Sequence, residues 1–95
     1  MKGYWIARVN VDDLDSYKEY AKRAGLAIEK FGGKFLVRVG KFKIIEGKHK
    51  YARNVIVEFP STKIANDCYN SKEYQEARSF RDGKADFNAI IIEGY

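Results

Sequence analysis

Cysteine, histidine, proline and tryptophan occur only once each in this sequence of 95 residues, and each scarcity excludes something. The single cysteine, Cys68, rules out an internal disulfide, and its place on the apolar side of a helix fits an inert buried thiol in a reducing compartment. One cysteine and one histidine cannot furnish a zinc site, so no metal is expected, and no motif calls for a cofactor. No apolar run is long enough to cross a membrane. Met1-Lys2 leads straight into Tyr-Trp-Ile-Ala-Arg, too short and too charged for a signal peptide, so a cytoplasmic protein without a membrane partner is the expectation. Repeats, linkers and low-complexity tracts are also missing, which leaves residues 1–95 as one small domain, near the size limit at which oligomerisation helps a core.

What is present is charge and alternation. Eighteen basic residues against 13 acidic ones give a formal net charge of +5, which favours solubility and a weak attraction to anions. Lys41, Lys43, Lys48, Lys50 and Arg53 crowd one connection, with His49 among them. Solvated loop surface is the plainer reading of that stretch, and an anion or nucleic-acid contact the sharper one.

Gly3 to Val11 alternates, with Trp5, Ala7, Val9 and Val11 opposed to Tyr4, Ile6, Arg8 and Asn10, as a first strand requires. Asp12 or Asp13 then caps a helix whose Tyr17, Tyr20, Ala21, Ala24, Ala27, Ile28 and Phe31 recur at helical spacing up to a left-handed end at Gly32-Gly33. Lys34 to Gly40 alternates again, with Phe35, Val37 and Val39 opposed to Leu36 and Arg38. Phe42 to Ile45 reads as its continuation past a kink at Gly40, and Glu46-Gly47 as the turn that follows. Arg53 to Phe59 is a third strand that Pro60 ends. Ser61 caps a helix, Asn70-Ser71 interrupts it, and Ser71 caps a second segment running toward Gly83. Asp86 to Gly94 closes the chain as a fourth strand.

Strand, helix, strand, strand, helix, strand is the split β-α-β-β-α-β order of an α+β, ferredoxin-like domain. Right-handed crossovers put the first and third strands in the centre of a four-stranded antiparallel sheet with both helices on one face. The helix-facing set is then Trp5, Ala7, Val9, Phe35, Val37, Val39, Val55, Val57, Phe59, Ala89 and Ile91. The opposite face mixes Ile6, Leu36, Ile56, Ile90 and Ile92 with charges, too apolar a patch to be left to water. A homodimer with sheet facing sheet covers it. RNA recognition on that face wants outward aromatics on the third strand, where Asn54, Ile56 and Glu58 stand instead, so nucleic acid is not the expected partner. By alternation Arg8, Arg38 and Glu58 share the bare face and are expected to form a charge cluster, within one protomer or across the dimer.

No residue pattern dictates a reaction. His49 is the one group with an ordinary pKa near neutrality, yet its lysine-rich loop offers nothing to orient it as a base. Trp5, Tyr17, Tyr69, Tyr74 and Arg78 are the ligand-pocket candidates, gathered where the second helix breaks. Their chemistry suits a small aromatic or carboxylate ligand, and packing of the core is the competing explanation of the aromatics.

The series Gly3-Tyr4-Trp5, Gly32-Gly33, Arg38-Val39-Gly40, Glu46-Gly47, Arg53, Glu58-Phe59-Pro60-Ser61, Tyr69-Asn70-Ser71 with Glu73-Tyr74, Arg78 and Glu93-Gly94 resembles the domain-of-unknown-function family DUF1330, of the dimeric α/β-barrel superfamily. The resemblance covers nearly the whole chain. Leu26 and Lys72, where such proteins often carry proline, and Cys68, where a larger aromatic is common, depart from it. It implies a homodimer with two facing sheets, and no established activity. Related superfamily members include cofactor-free monooxygenases, isomerases of lactones and haem enzymes, many with a pocket between sheet and helices. The reading is thus a homodimeric α/β barrel that binds a small ligand or acts as a cofactor-independent enzyme. The alternative is a non-catalytic dimerisation or nucleic-acid-binding module using the lysine-rich stretch 41–53.

Overall fold

A computed structural model describes residues 1–95. Its elements are β1 (Gly3–Val11), α1 (Leu14–Lys30), β2 (Lys34–Val39), β3 (Arg53–Phe59), α2 (Thr62–Tyr69), α3 (Lys72–Arg78) and β4 (Ala85–Glu93). The four strands form one sheet in the order β2-β3-β1-β4, with every neighbouring pair antiparallel. This is the ferredoxin-like α+β arrangement that the order of elements predicts.

Local chemistry sets the helix ends. Asp13 accepts a hydrogen bond from the Ser16 backbone N–H at 3.1 Å, and the Asp12 and Asp13 N–H groups bond to the Lys84 carbonyl, tying the start of α1 to the entry of β4. At the other end Gly32 takes φ +75°, and the Gly33 N–H reaches back to the Ile28 carbonyl at 2.8 Å, closing the last turn as a left-handed cap does. Ser61 accepts from the Ile64 N–H to start α2. Ser71 serves two helices: its hydroxyl donates to the Cys68 carbonyl at 2.6 Å at the end of α2 and accepts from the Tyr74 N–H at 3.1 Å at the start of α3.

The core lies between the helices and one face of the sheet, where Trp5, Val9, Val57 and Phe59 meet Tyr17, Tyr20, Ala24, Ala27, Ile28, Ala65, Cys68, Tyr74 and Ala77. Close approach is built in at Gly3, where an added Cβ would stand 2.5 Å from the Thr62 backbone nitrogen. On the other face Ile6 stands opposite both Ile56 and Ile90, and Leu36, Ile90 and Ile92 are about half exposed.

Three expectations about facing and extent are corrected. The β2 register shifts between Phe35 and Val37, so that Phe35 pairs with Val57 but Val37 pairs with Ile56 and Arg38 with Val55. A bulge inverts the facing of everything beyond it. Val37 therefore lies with the bare face, and Arg38 turns to the helix side, where its guanidinium sits 4.3 Å over the Phe35 ring and donates to the Ala21 carbonyl at 3.3 Å. Secondly, β2 does not continue through Phe42 to Ile45. Val39 and Gly40 take φ +74° and +42° in succession, which turns the chain off the sheet. Residues 40–52 instead form a loop held by Asn10, whose amide donates to the Lys50 carbonyl and accepts from the Ala52 N–H. Thirdly, Ala89 and Ile91 on β4 face the helix side yet are exposed. The short α2 and α3 do not cover this edge strand, and a cleft opens there.

Candidate functional site

The cleft, of about 410 Å³, runs between β4 and the α2–α3 break. Four of the five pocket candidates line it: Trp5, Tyr69, Tyr74 and Arg78. Trp5 projects from β1, an odd-numbered position that alternation turns toward the helices, and its indole N–H donates to the Ala65 carbonyl at 3.0 Å. Tyr69 ends α2, and Tyr74 falls in the first turn of α3. Their rings meet at 5.3 Å between centroids, and Trp5 packs edge-on to Tyr74 at 5.0 Å and to Tyr69 at 6.2 Å. Such edge contacts fix ring positions as well as burying area. Arg78 lies at the partly exposed rim, donating to the Gln75 side chain at 3.2 Å and standing 3.6 Å from Asp82.

Tyr17 is not part of this cleft. It lines a separate cavity of about 100 Å³ under α1, together with Arg38, Arg53 and Val55. The two spaces share Trp5, Ala7 and Phe87.

Arg81 is the residue that sequence reasoning did not assign to the site. It lines the cleft and is only 6 % exposed, the one charged residue buried in the chain. Its guanidinium lies 3.6 Å over the Phe87 ring and 4.9 Å from the Tyr20 ring centre. It donates to the Tyr74 hydroxyl at 3.4 Å, which in turn shares a 2.7 Å hydrogen bond with the Tyr20 hydroxyl. The Nε donor is buried and has no acceptor. Burial alone would lower the Arg81 pKa, but the hydrogen bond to Tyr74 and the nearby Tyr74 and Tyr20 phenols outweigh it, and the net direction is upward. The group stays cationic. Burial foremost, then Tyr74, holds the Tyr20 phenol well above its ordinary range. The signal for Arg81 was present in the sequence, because it falls seven residues after Tyr74 and four after Ala77 and so continues the apolar side of α3.

The charge trio does not assemble within the protomer. Glu58 accepts from the Tyr4 hydroxyl at 3.0 Å, and that bond, ahead of burial and the carboxylate charge, raises the Tyr4 pKa. Arg8 stands opposite Asn54 and Asn88, and Arg38 is on the other face. The β1–β3 register sets Glu58 opposite Tyr4, four residues along from Arg8, and the bulge at Leu36 turns Arg38 away. His49 lies outside the cleft, edge-on to Phe42 at 4.9 Å in the 40–52 loop.

No group of three or more His, Cys, Asp or Glu side chains is placed to hold a metal ion, and no helix is long and apolar enough to cross a membrane. The fold is similar to that of a protein of unknown function from Rhodopseudomonas palustris, with a TM-score of 0.80 at 20% identity over 99% of this chain and 82% of that one. A dimeric ferredoxin-like protein of unknown function from Bacteroides fragilis aligns with a TM-score of 0.66 at 8% identity, covering 98% and 96% of the two chains. A second dimeric ferredoxin-like protein of unknown function, from Thermobifida fusca, gives 0.59 at 12% identity over 99% and 92%. At these identities the likeness concerns the fold. No curated protein matches in sequence. The family description of the domain of unknown function DUF1330 matches residues 2–95, and the chain belongs to that family.

Proposed function

We propose that the protein is a homodimer in which each protomer binds a small organic molecule in the cleft between β4 and the α2–α3 break. The observation that carries this reading is the cleft itself. Eight of its ten lining residues are hydrophobic, its aromatic walls are fixed by the Trp5 and Tyr74 hydrogen bonds, and its volume falls within the roughly 300–1,000 Å³ of small-molecule sites. The dimeric ferredoxin-like neighbours support the assembly, in which a second sheet would cover the face that carries Ile6, Leu36, Ile56, Ile90 and Ile92.

Binding rather than acid–base catalysis is the better fit to the cleft's chemistry. A general base works best with a pKa near the working pH. The one histidine lies elsewhere, no acidic residue lines the space, and the Tyr20 phenol that ends the hydrogen-bond chain is held protonated.

The test is nuclear magnetic resonance of the Trp5 indole N–H, the only such signal in the chain, during titration with a set of phenyl-substituted carboxylates and their primary amides. Saturable shifts are expected in the parent and not in an Ala89→Phe variant, which fills the exposed β4 side of the cleft. Shifts that persist unchanged in the variant would place binding elsewhere, and an absence of shifts with every compound would end the proposal.

A further inference from the structure

We infer that the ligand of this cleft is a monoanion on a flat apolar body, an aryl-substituted carboxylate, with Arg81 as its charge partner. The inference rests on the cleft being a ligand site and adds the chemical class.

A guanidinium is costly to bury without an anion, because the lost hydration must be replaced by hydrogen bonds and opposite charge. Arg81 has neither in full. All six ion pairs of the chain join partly exposed side chains, and none includes Arg81. Its one hydrogen bond to a side chain is the long 3.4 Å contact with the Tyr74 hydroxyl. Its Nε donor bonds nothing. Stacking on Phe87 compensates in part, since an arginine over an aromatic face retains some electrostatic stabilisation. What the surroundings withhold is an acceptor with negative charge, and a carboxylate matches the planar donor fork in charge and geometry.

The rest of the cleft defines the other end of the ligand. No lining residue is acidic, so nothing repels an anion, and Trp5, Tyr69, Ala89 and Ile91 offer an apolar bed for a ring. The second cation, Arg78, is at the rim and already engaged by Asp82 and Gln75. One free buried positive charge suits a single negative charge. A phosphate dianion would bring an excess that the cleft does not balance.

The experiment compares phenylacetate, phenylacetamide and benzylphosphonate at pH 8, read by the Trp5 indole N–H signal. Phenylacetate is expected to bind at least about tenfold more tightly than its amide, as a charged hydrogen bond worth about 1.5–3 kcal/mol implies. In Arg81→Gln, whose folding is checked by the same spectrum, the advantage of phenylacetate over its amide should vanish. The parent comparison stands even where that variant fails to fold. Equal or tighter binding of the amide in the parent overturns the inference and leaves the cleft as a neutral-ligand site. Tightest binding of benzylphosphonate overturns the single-charge assignment. Failure of all three to shift Trp5 removes the cleft reading along with the inference.

Discussion

Cys68 is fully buried, with its thiol 3.8 Å from the Ala27 carbonyl. Burial first, and the Glu73 charge second, push its pKa up from 9.0 to about 12, so the nucleophilic thiolate is absent at neutral pH. A thiol reagent should leave the native protein unmodified for as long as it stays folded and label the urea-unfolded chain at once; rapid native labelling would contradict the placement. The same shift has a consequence for stability. The unfolded thiol ionises from about pH 9 while the folded one does not, so its contribution is complete below pH 9 and is lost as pH rises toward about 12. Tyr20, raised well above its ordinary value of 10.0, acts in the same direction from a higher onset. The urea midpoint should therefore fall above pH 9 in the parent, and only above about pH 10 in Cys68→Ala. An identical onset in the two proteins would show that the thiol is not responsible.

The break between α2 and α3 positions Tyr69 and Tyr74 against Trp5, and it depends on one hydroxyl. Ser71 satisfies a carbonyl of one helix and an N–H of the next, whereas an ordinary cap serves only one. Ser71→Ala should cost about 1–2 kcal/mol in urea titration, at the upper end for a lost cap. Ser79, whose exposed hydroxyl only donates to the Glu76 carbonyl, supplies the control: Ser79→Ala should be nearly neutral, and equal losses would remove the dual role from Ser71. Gly3 marks a second constraint between elements. A methyl group there would meet Thr62 and Ser61 backbone atoms at 2.5 to 2.7 Å, which no side-chain rotation relieves. Gly3→Ala should destabilise by at least about 1–3 kcal/mol, as overpacking does; a stability equal to the parent's would contradict so close an approach of β1 to α2.

At the scale of the molecule the bare sheet face is the dominant unsatisfied feature. Ile6, Ile56 and Ile90 form a continuous row across β3, β1 and β4, flanked by Leu36 and Ile92. The 40–52 loop adds Phe42, Ile44 and Ile45, all at least half exposed. Covering such side chains contributes about 1.5–3 kcal/mol each before the costs of association. Sedimentation at micromolar concentration should show a dimer, and Ile56→Asp, at the centre of the row, a folded monomer. A monomeric parent at high concentration would refute this reading of the face.

The elements themselves were legible in the sequence because they are written in local contacts. Alternation at period two defined β1, β3 and β4, and the caps Asp13, Ser61, Ser71 and Gly32 act within a few residues of themselves, so their chemistry does not wait for the rest of the fold. Four cleft residues were also within reach, since Trp5, Tyr69, Tyr74 and Arg78 follow from facing and from the helix break. The tertiary structure alone decided three things. A single extra residue at Leu36 carried Arg38 to the helix face, and the β1–β3 register set Glu58 opposite Tyr4, four residues from Arg8, so the expected charge trio does not form within the protomer; strand pairing fixes both, and no local pattern announces either. The left-handed turn at Val39-Gly40 ended β2 where composition favoured continuing it. Finally, α2 and α3 together are too short to cover β4, and that long-range geometry turned Ala89 and Ile91 from core into a cleft wall and left Arg81 buried without an acid.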